Sequence, residues 1–399
     1  MSGNPLHVRL SDLFRDRVGV LLALLVLLFP VVKGASAAVA LWQYVRARQA
    51  GTAGPWPREL RTGALLILAA FIVGMIFTVD FDYTFRAFLS VVLALTFVWG
   101  VRRYAAFGDG RLQPAFLAAA VLLLLGALSV WLYWQWQEGP FLVRMHGIAP
   151  FKTRNLWSCS LALTWVSVFA VLLRNDLTVR HGRLAMALLL MATLLLVANA
   201  TIEALIAACA AAAVMLALRF PAYRLIALVI MLAALTVLLM VVIPAADWSP
   251  GLWMHDDERS NRLLLWQTTG ELIRQRPWAG YGPGTFKYSE AVNALLPVAQ
   301  QHPASPHNWA LEILYSFGVT GTVLYLGGLA LLARALRQSF VHHSAYLRLV
   351  GAGFLAVILV NGLVDFRAFG LFFQCTLLAS GYLVLAFTPA LYAREQRAS

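Results

Sequence analysis

RTGALLILAAFIVGMIFTVDFDYTFRAFLSVVLALTFVWGVRR, residues 61–103, holds two apolar runs long enough to cross a bilayer, joined by a short turn at 80–83 and bounded at both ends by arginine. Neither run alternates apolar and polar residues as a barrel strand would, so each is expected to satisfy its backbone hydrogen bonds internally, as a helix. The arginines put both outer ends on one side of the membrane and the 80–83 turn on the other.

The rest of the chain extends this pattern. Of the 399 residues, 61% are hydrophobic and only 12% charged, with a mean hydropathy of +0.75, which excludes a soluble domain that covers its core with polar surface. Apolar runs lie at roughly 18–32, 34–46, 62–79, 84–101, 112–136, 156–173, 184–199, 202–218, 223–243, 307–333, 347–364 and 368–388. The expected fold is therefore an all-α polytopic membrane protein of about twelve transmembrane helices. The first two runs share Pro30, Lys33 and Gly34, so residues 18–46 read as a hairpin or as one kinked helix. Charge favours the hairpin. With twelve spans, about twenty of the 31 basic residues fall on one side with both termini, among them Arg58, Arg61, Arg102, Arg103, Arg219, Arg224, Arg334 and Arg337.

A net charge of +13 would point to nucleic acid in a soluble protein; here the arginines are spread through short loops, where they orient the chain, and no nucleic-acid partner is expected. Cys159, Cys209 and Cys375 all fall inside apolar runs, with neither disulfide nor metal-ligand spacing. No cleavable leader is expected, because the first apolar run is followed by further spans. Residues 1–399 read as a single transmembrane domain, and only residues 244–306, between the ninth and tenth runs, make a sizeable extramembrane loop. Two short helices are expected there, the first starting at a Ser260 cap and stopping before Pro277.

That loop carries the residues that look chemical: RSNRLLLW at 259–266, RPWAGYGPGTF at 276–286 and PHNWALEILYSFGVTGT at 306–322. Arg262 lies four residues before Trp266; Pro277, Gly280, Gly282, Gly284 and Phe286 form P-x-x-G-x-G-x-G-x-F; His307 and Asn308 open the tenth run ahead of Gly318 and Gly321. Over about 70 residues this resembles the domain shared by bacterial O-antigen ligases, O-antigen polymerases and protein O-oligosaccharyltransferases. The resemblance extends weakly to Arg144, His146, Gly147, Asn155 and Asp365. One departure stands out: many members carry an Arg after a Ser or Thr in mid-chain, whereas TIEALIA at 201–207 has none, so that donor contact is expected from Arg144, Arg154 or Arg86.

The resemblance implies a GT-C-like glycosyltransferase of O-antigen ligase type in the bacterial inner membrane, with both termini cytoplasmic and a periplasmic active site. Its donor would be a glycan on undecaprenyl diphosphate and its acceptor a sugar hydroxyl of lipid A core, with inversion and with no metal or other cofactor. His307 is the expected base or orienting group, and Arg262 and Arg259 the expected cations for the leaving diphosphate. Arg144, Arg154, Arg86, Gly282, Gly284 and Asn308 are the expected substrate contacts.

Physical chemistry supports the same division of labour. Outside the inner membrane there is no nucleotide-sugar pool, so transfer there needs a lipid-carried donor and a diphosphate leaving group. Arginine's permanent charge and planar fork suit two phosphate oxygens. A sugar hydroxyl is a poor nucleophile, and histidine titrates close enough to neutrality to serve as its base. The glycine turn is expected to offer backbone N–H groups to phosphate, although it lacks the lysine of a P-loop. Bland readings stand beside these: solvated surface arginines, and a histidine that merely shapes a helix entry. O-antigen polymerase, protein O-oligosaccharyltransferase, and a flippase or transporter remain alternative functions; the last usually places ionisable residues near the membrane midplane, where only Lys33 and Glu203 come close.

Overall fold

The computed structural model describes residues 58–105, 109–138, 154–173, 179–198, 202–242, 256–297, 303, 305–340 and 345–365. Among them are eleven α-helices and no strand. The helices are α1 (Arg58–Ile76), α2 (Phe81–Ala105), α3 (Asp109–Glu138), α4 (Arg154–Leu172), α5 (Val179–Ala198), α6 (Ile202–Arg219), α7 (Arg224–Val242), α8 (Asp256–Gln275), α9 (Glu290–Leu295), α10 (Trp309–Phe340) and α11 (Ala345–Asp365), with single 3₁₀ turns at Pro221–Tyr223 and Phe286–Tyr288. The expected runs at 18–32, 34–46 and 368–388, and with them the choice between hairpin and kinked helix, lie outside the described residues.

Helices α1–α7, α10 and α11 fall on the apolar runs between 62 and 364 read from the sequence. Two segments, α1 and Trp309–Leu332 of α10, are long and apolar enough to cross a membrane by themselves, and α3–α6 and α11 contain shorter apolar stretches. Large apolar side chains such as Leu65, Leu190, Leu194, Leu225 and Val323 are more than half exposed on these helices, as expected where hydrocarbon is the solvent.

Small residues set the packing. In α1 and α10, a Cβ on Gly63 would lie 2.9 Å from the Gly328 carbonyl oxygen, and one on Gly328 would lie 2.7 Å from the Gly63 carbonyl oxygen. The two backbones meet there with no room for a methyl group. Further along, Gly74 abuts Phe317 and Pro283, so α1 and α10 run antiparallel. The alanine-rich α6 packs against α4 and α11, with Ala204, Ala207, Ala208 and Ala211 buried and Gly353 of α11 against Met215 and Val166.

These contacts sort the helix ends into two groups. Arg58 and Arg61 begin α1 at the end where Arg334 of α10 lies. Arg219, closing α6, donates from Nε to the Leu173 carbonyl after α4 (2.8 Å), and Tyr346, opening α11, donates to the Ser167 carbonyl in the last turns of α4 (3.5 Å). At the other end, Asn308 before α10 donates to the Leu363 carbonyl of α11 (3.1 Å). The segment from α8 to the start of α10 gathers there, through the bond from Trp266 to Pro306.

The structure corrects two boundaries. Helix α8 starts at Asp256, so Ser260 lies inside it and is not its cap. The tenth run, read as one continuous span, is interrupted at Gly318, whose φ of 57° and ψ of −171° are non-helical.

Candidate functional site

The site is organised by one indole. Trp266 of α8 donates from Nε1 to the carbonyl of Pro306 (3.0 Å), the residue before His307. Arg262 sits four residues earlier on the same face of α8, and its Nη1 is sealed from solvent. The spacing of arginine and tryptophan noted in the sequence thus becomes a geometric link: the tryptophan grips the His307 turn and the arginine lies one helical turn away from that grip.

His307 has a positive φ of 53°, the single non-glycine residue with that property among those described. This region is sparsely populated for side-chain-bearing residues and costs of order 1 kcal/mol or more, so surrounding contacts must hold it. Its N–H donates to Ser305 Oγ (3.2 Å), and Ser305 is fully buried. On the other side, Asn308 caps α10: its Oδ1 accepts from the N–H groups of Ala310 (3.0 Å) and Leu311 (3.1 Å), while Nδ2 donates to Leu363. Asn308, expected as a substrate contact, therefore uses both ends of its amide in holding the helix entry.

The glycine segment serves the broken helix. The interruption at Gly318 frees backbone groups of α10, and residues 277–282 take them up. Tyr281 and Gly282 donate to the carbonyls of Tyr315 (2.8 Å) and Ser316 (2.9 Å), while Val319 donates to Pro277 (2.7 Å) and Thr320 to Trp278 (3.4 Å). Gly280 and Gly318 face each other with positive φ, and a Cβ on either would come within 2.7 Å of the other's backbone segment. The Tyr281 carbonyl also accepts from Val79 N (3.0 Å), which ties the turn between α1 and α2 into the same unit. The N–H groups of Gly280, Tyr281 and Gly282 are committed to the carbonyls of Arg276, Tyr315 and Ser316, and any phosphate contact at Gly282 has to come from other atoms.

Beneath this segment Tyr281 stacks on Tyr315 at 4.8 Å, with Phe286, Leu265, Leu272, Val292 and Leu296 forming a small core separate from the main bundle. Burial pushes the Tyr281 phenol above its ordinary value, while the Arg276 guanidinium 5.0 Å over its ring pulls it down. Ser289 caps α9, accepting from Val292 N (3.4 Å).

Arg86, in the first turns of α2, is exposed, pairs with Asp82 at 2.6 Å and lies 5.5 Å over Tyr83, which stacks on Tyr288 just after the glycine segment. Arg259 lies in the second half-turn before Arg262 in α8 and Arg154 opens α4; only their backbone is described. Arg144 lies outside the described residues. The structure also adds a residue that the motif reading passed over: Glu312, one turn after Asn308 in α10, is 4% exposed and lies within electrostatic reach of the Tyr325 hydroxyl beyond the break. Its signal was available, since an acid within an apolar run is costly and rarely idle.

Comparison with known families now bears on this arrangement. Residues 184–326, from α5 through the glycine segment to the broken α10, match the family model described as O-antigen ligase. That match supports a place in the O-antigen ligase superfamily for residues 184–326. No curated protein matches the chain. The matched region holds Arg262, Trp266, the glycine segment and His307 together, so the site just described lies within it. The apolar helices are those of a membrane protein, and the description of the matched family is that of a ligase.

Proposed function

We propose that this O-antigen ligase homologue transfers a preassembled glycan from undecaprenyl diphosphate to a sugar hydroxyl of lipid A core, at the periplasmic face of a bacterial inner membrane. The observation that carries the reading is the junction of α8 and α10, where Trp266 ties the His307 turn to the helix bearing Arg262. A basic side chain able to take a proton and a permanent cation are thereby held at one helix entry, at the end of the bundle away from Arg58, Arg61 and Arg334.

In this mechanism His307 accepts the proton of the acceptor hydroxyl as that oxygen attacks the donor's anomeric carbon. The bond from that carbon to the diphosphate oxygen breaks, and the diphosphate leaves with the electron pair. Arg262, with Arg259, neutralises the charge that develops on it. The proton on His307 then passes to solvent. Attack opposite the leaving group inverts the anomeric centre. Arg144, Arg154 and Arg86 are further candidates for donor contact, and no step requires a metal or nucleotide.

The test uses purified protein in lipid with EDTA, a lipid-linked glycan donor, and three acceptors side by side: lipid A core, a second lipid-linked glycan and a Ser-containing peptide. Transfer to lipid A core that is lost in folded His307→Ala and Arg262→Ala proteins is the expected result. Elongation of the second lipid-linked glycan would make the chain a polymerase, and glycopeptide a protein O-oligosaccharyltransferase. Retention of the donor anomer would sink the in-line displacement.

A further inference from the structure

We propose that Trp266 is a positioning residue for His307: its indole N–H, donated to the Pro306 carbonyl, holds the left-handed turn in which His307 acts. The inference rests on the reading of His307 as the base. Three observations carry it. A histidine at φ 53° is not where an unconstrained chain places it, so something must hold the turn. The peptide carbonyl immediately before His307 is the acceptor of Trp266 Nε1 at 3.0 Å, while the N–H on its own residue is held by the buried Ser305 hydroxyl at 3.2 Å. Finally, the stretch of α10 that adjoins the turn is short, since it runs only to the break at Gly318, where it rests on backbone bonds from the glycine segment.

The grip also sets a distance between two functions. Trp266 and Arg262 are one turn apart on α8, a rigid element whose Leu265 and Leu272 are buried in the small core. A base fixed to Trp266 is therefore fixed relative to the cation on the same helix, which is what an in-line displacement needs: attacking and leaving oxygens on opposite sides of one carbon. Without the indole N–H, the turn keeps its sequence and its Asn308 cap but loses its link to α8.

The experiment compares steady-state glycan transfer by wild type, Trp266→Phe, His307→Ala and the double variant. Loss of one such hydrogen bond should lower kcat about tenfold, with KM for donor and acceptor unchanged. Whatever residual transfer His307→Ala retains should not fall further in the double variant, because two residues acting through one group are not additive. A Trp266→Phe protein with wild-type kcat, or one whose loss persists in full on top of His307→Ala, overturns the proposal. If His307→Ala itself transfers normally, the base assignment fails first, an outcome distinct from an inactive His307→Ala beside an active Trp266→Phe. Should Trp266→Phe fail to fold, Trp266→benzothienylalanine, which keeps the ring shape and lacks only the N–H, decides by the same criteria.

Discussion

At the scale of single residues, the site separates groups chosen for charge from groups chosen for geometry. In the proposed mechanism Arg262 belongs to the first kind. A lysine there would keep the charge and lose the planar fork, so Arg262→Lys should fall in kcat by roughly ten- to a hundredfold, checked by steady-state transfer with saturating donor; activity within a factor of about two of wild type would mean that charge alone suffices. Asn308 belongs to the second kind. Its amide accepts two N–H groups at the start of α10 and donates to Leu363 of α11, so Asn308→Ala should cost about 1–2 kcal/mol, seen as a lowered unfolding temperature in detergent. Arg262 and His307 stand out in the sequence as candidates because a fixed spacing from Trp266 and a fixed place before an apolar run mark them. The capping role of Asn308 was hidden by the same pattern, since a polar residue beside a histidine reads as a ligand until its partners are visible. Glu312 was overlooked for the opposite reason: it sits in an apolar run whose length had already been explained.

At the scale of elements, the periodicity of apolar residues located the helices but could not show the interruption of α10. Hydropathy continues unbroken through Tyr315, Phe317, Val319 and Val323, and Gly318 alone is a weak signal in a membrane helix, where glycine is common. The break becomes intelligible only with its partner, the glycine segment some forty residues earlier, whose backbone replaces the missing intrahelical bonds. Two glycines make that fit possible. Gly318 has φ 57° and a Cβ there would lie 2.5 Å from the Trp278 carbonyl carbon; Gly280 has φ 67° and a Cβ there would lie 2.6 Å from Gly318 N. Both neighbours are backbone and cannot swing aside. Gly318→Ala and Gly280→Ala should each destabilise by about 2–3 kcal/mol, and transfer should fall with stability because the Pro277–Gly282 segment and the His307 turn share α10. Unfolding temperature and transfer rate measured on the same preparations check this, and an unchanged unfolding temperature in either variant would remove the interlock.

At the scale of the whole molecule, the helix contacts and the arginine pattern are independent, and they agree. The antiparallel crossing of α1 and α10, the bond from Arg219 to Leu173 and the bond from Tyr346 to Ser167 gather Arg58, Arg61, Arg219 and Arg334 at one end of the bundle. The bond from Asn308 to Leu363 and the tie from Val79 to Tyr281 gather α8, the glycine segment and His307 at the other. Lipid then decides which end faces which compartment, since basic residues in short loops stay on the cytoplasmic side. A donor assembled on undecaprenyl diphosphate and presented outside could reach His307 and Arg262 only in that orientation. Single cysteines in a background without Cys159, Cys209 and Cys375 test it directly. Lys287→Cys, exposed just after the glycine segment, should react with a membrane-impermeant maleimide in cells whose outer membrane alone is opened. Arg334→Cys, exposed near the far end of α10, should react only once the inner membrane is also breached. The reverse pattern would place the site in the cytoplasm, where nucleotide sugars are available, and the argument for a lipid-carried donor would lose its physical basis.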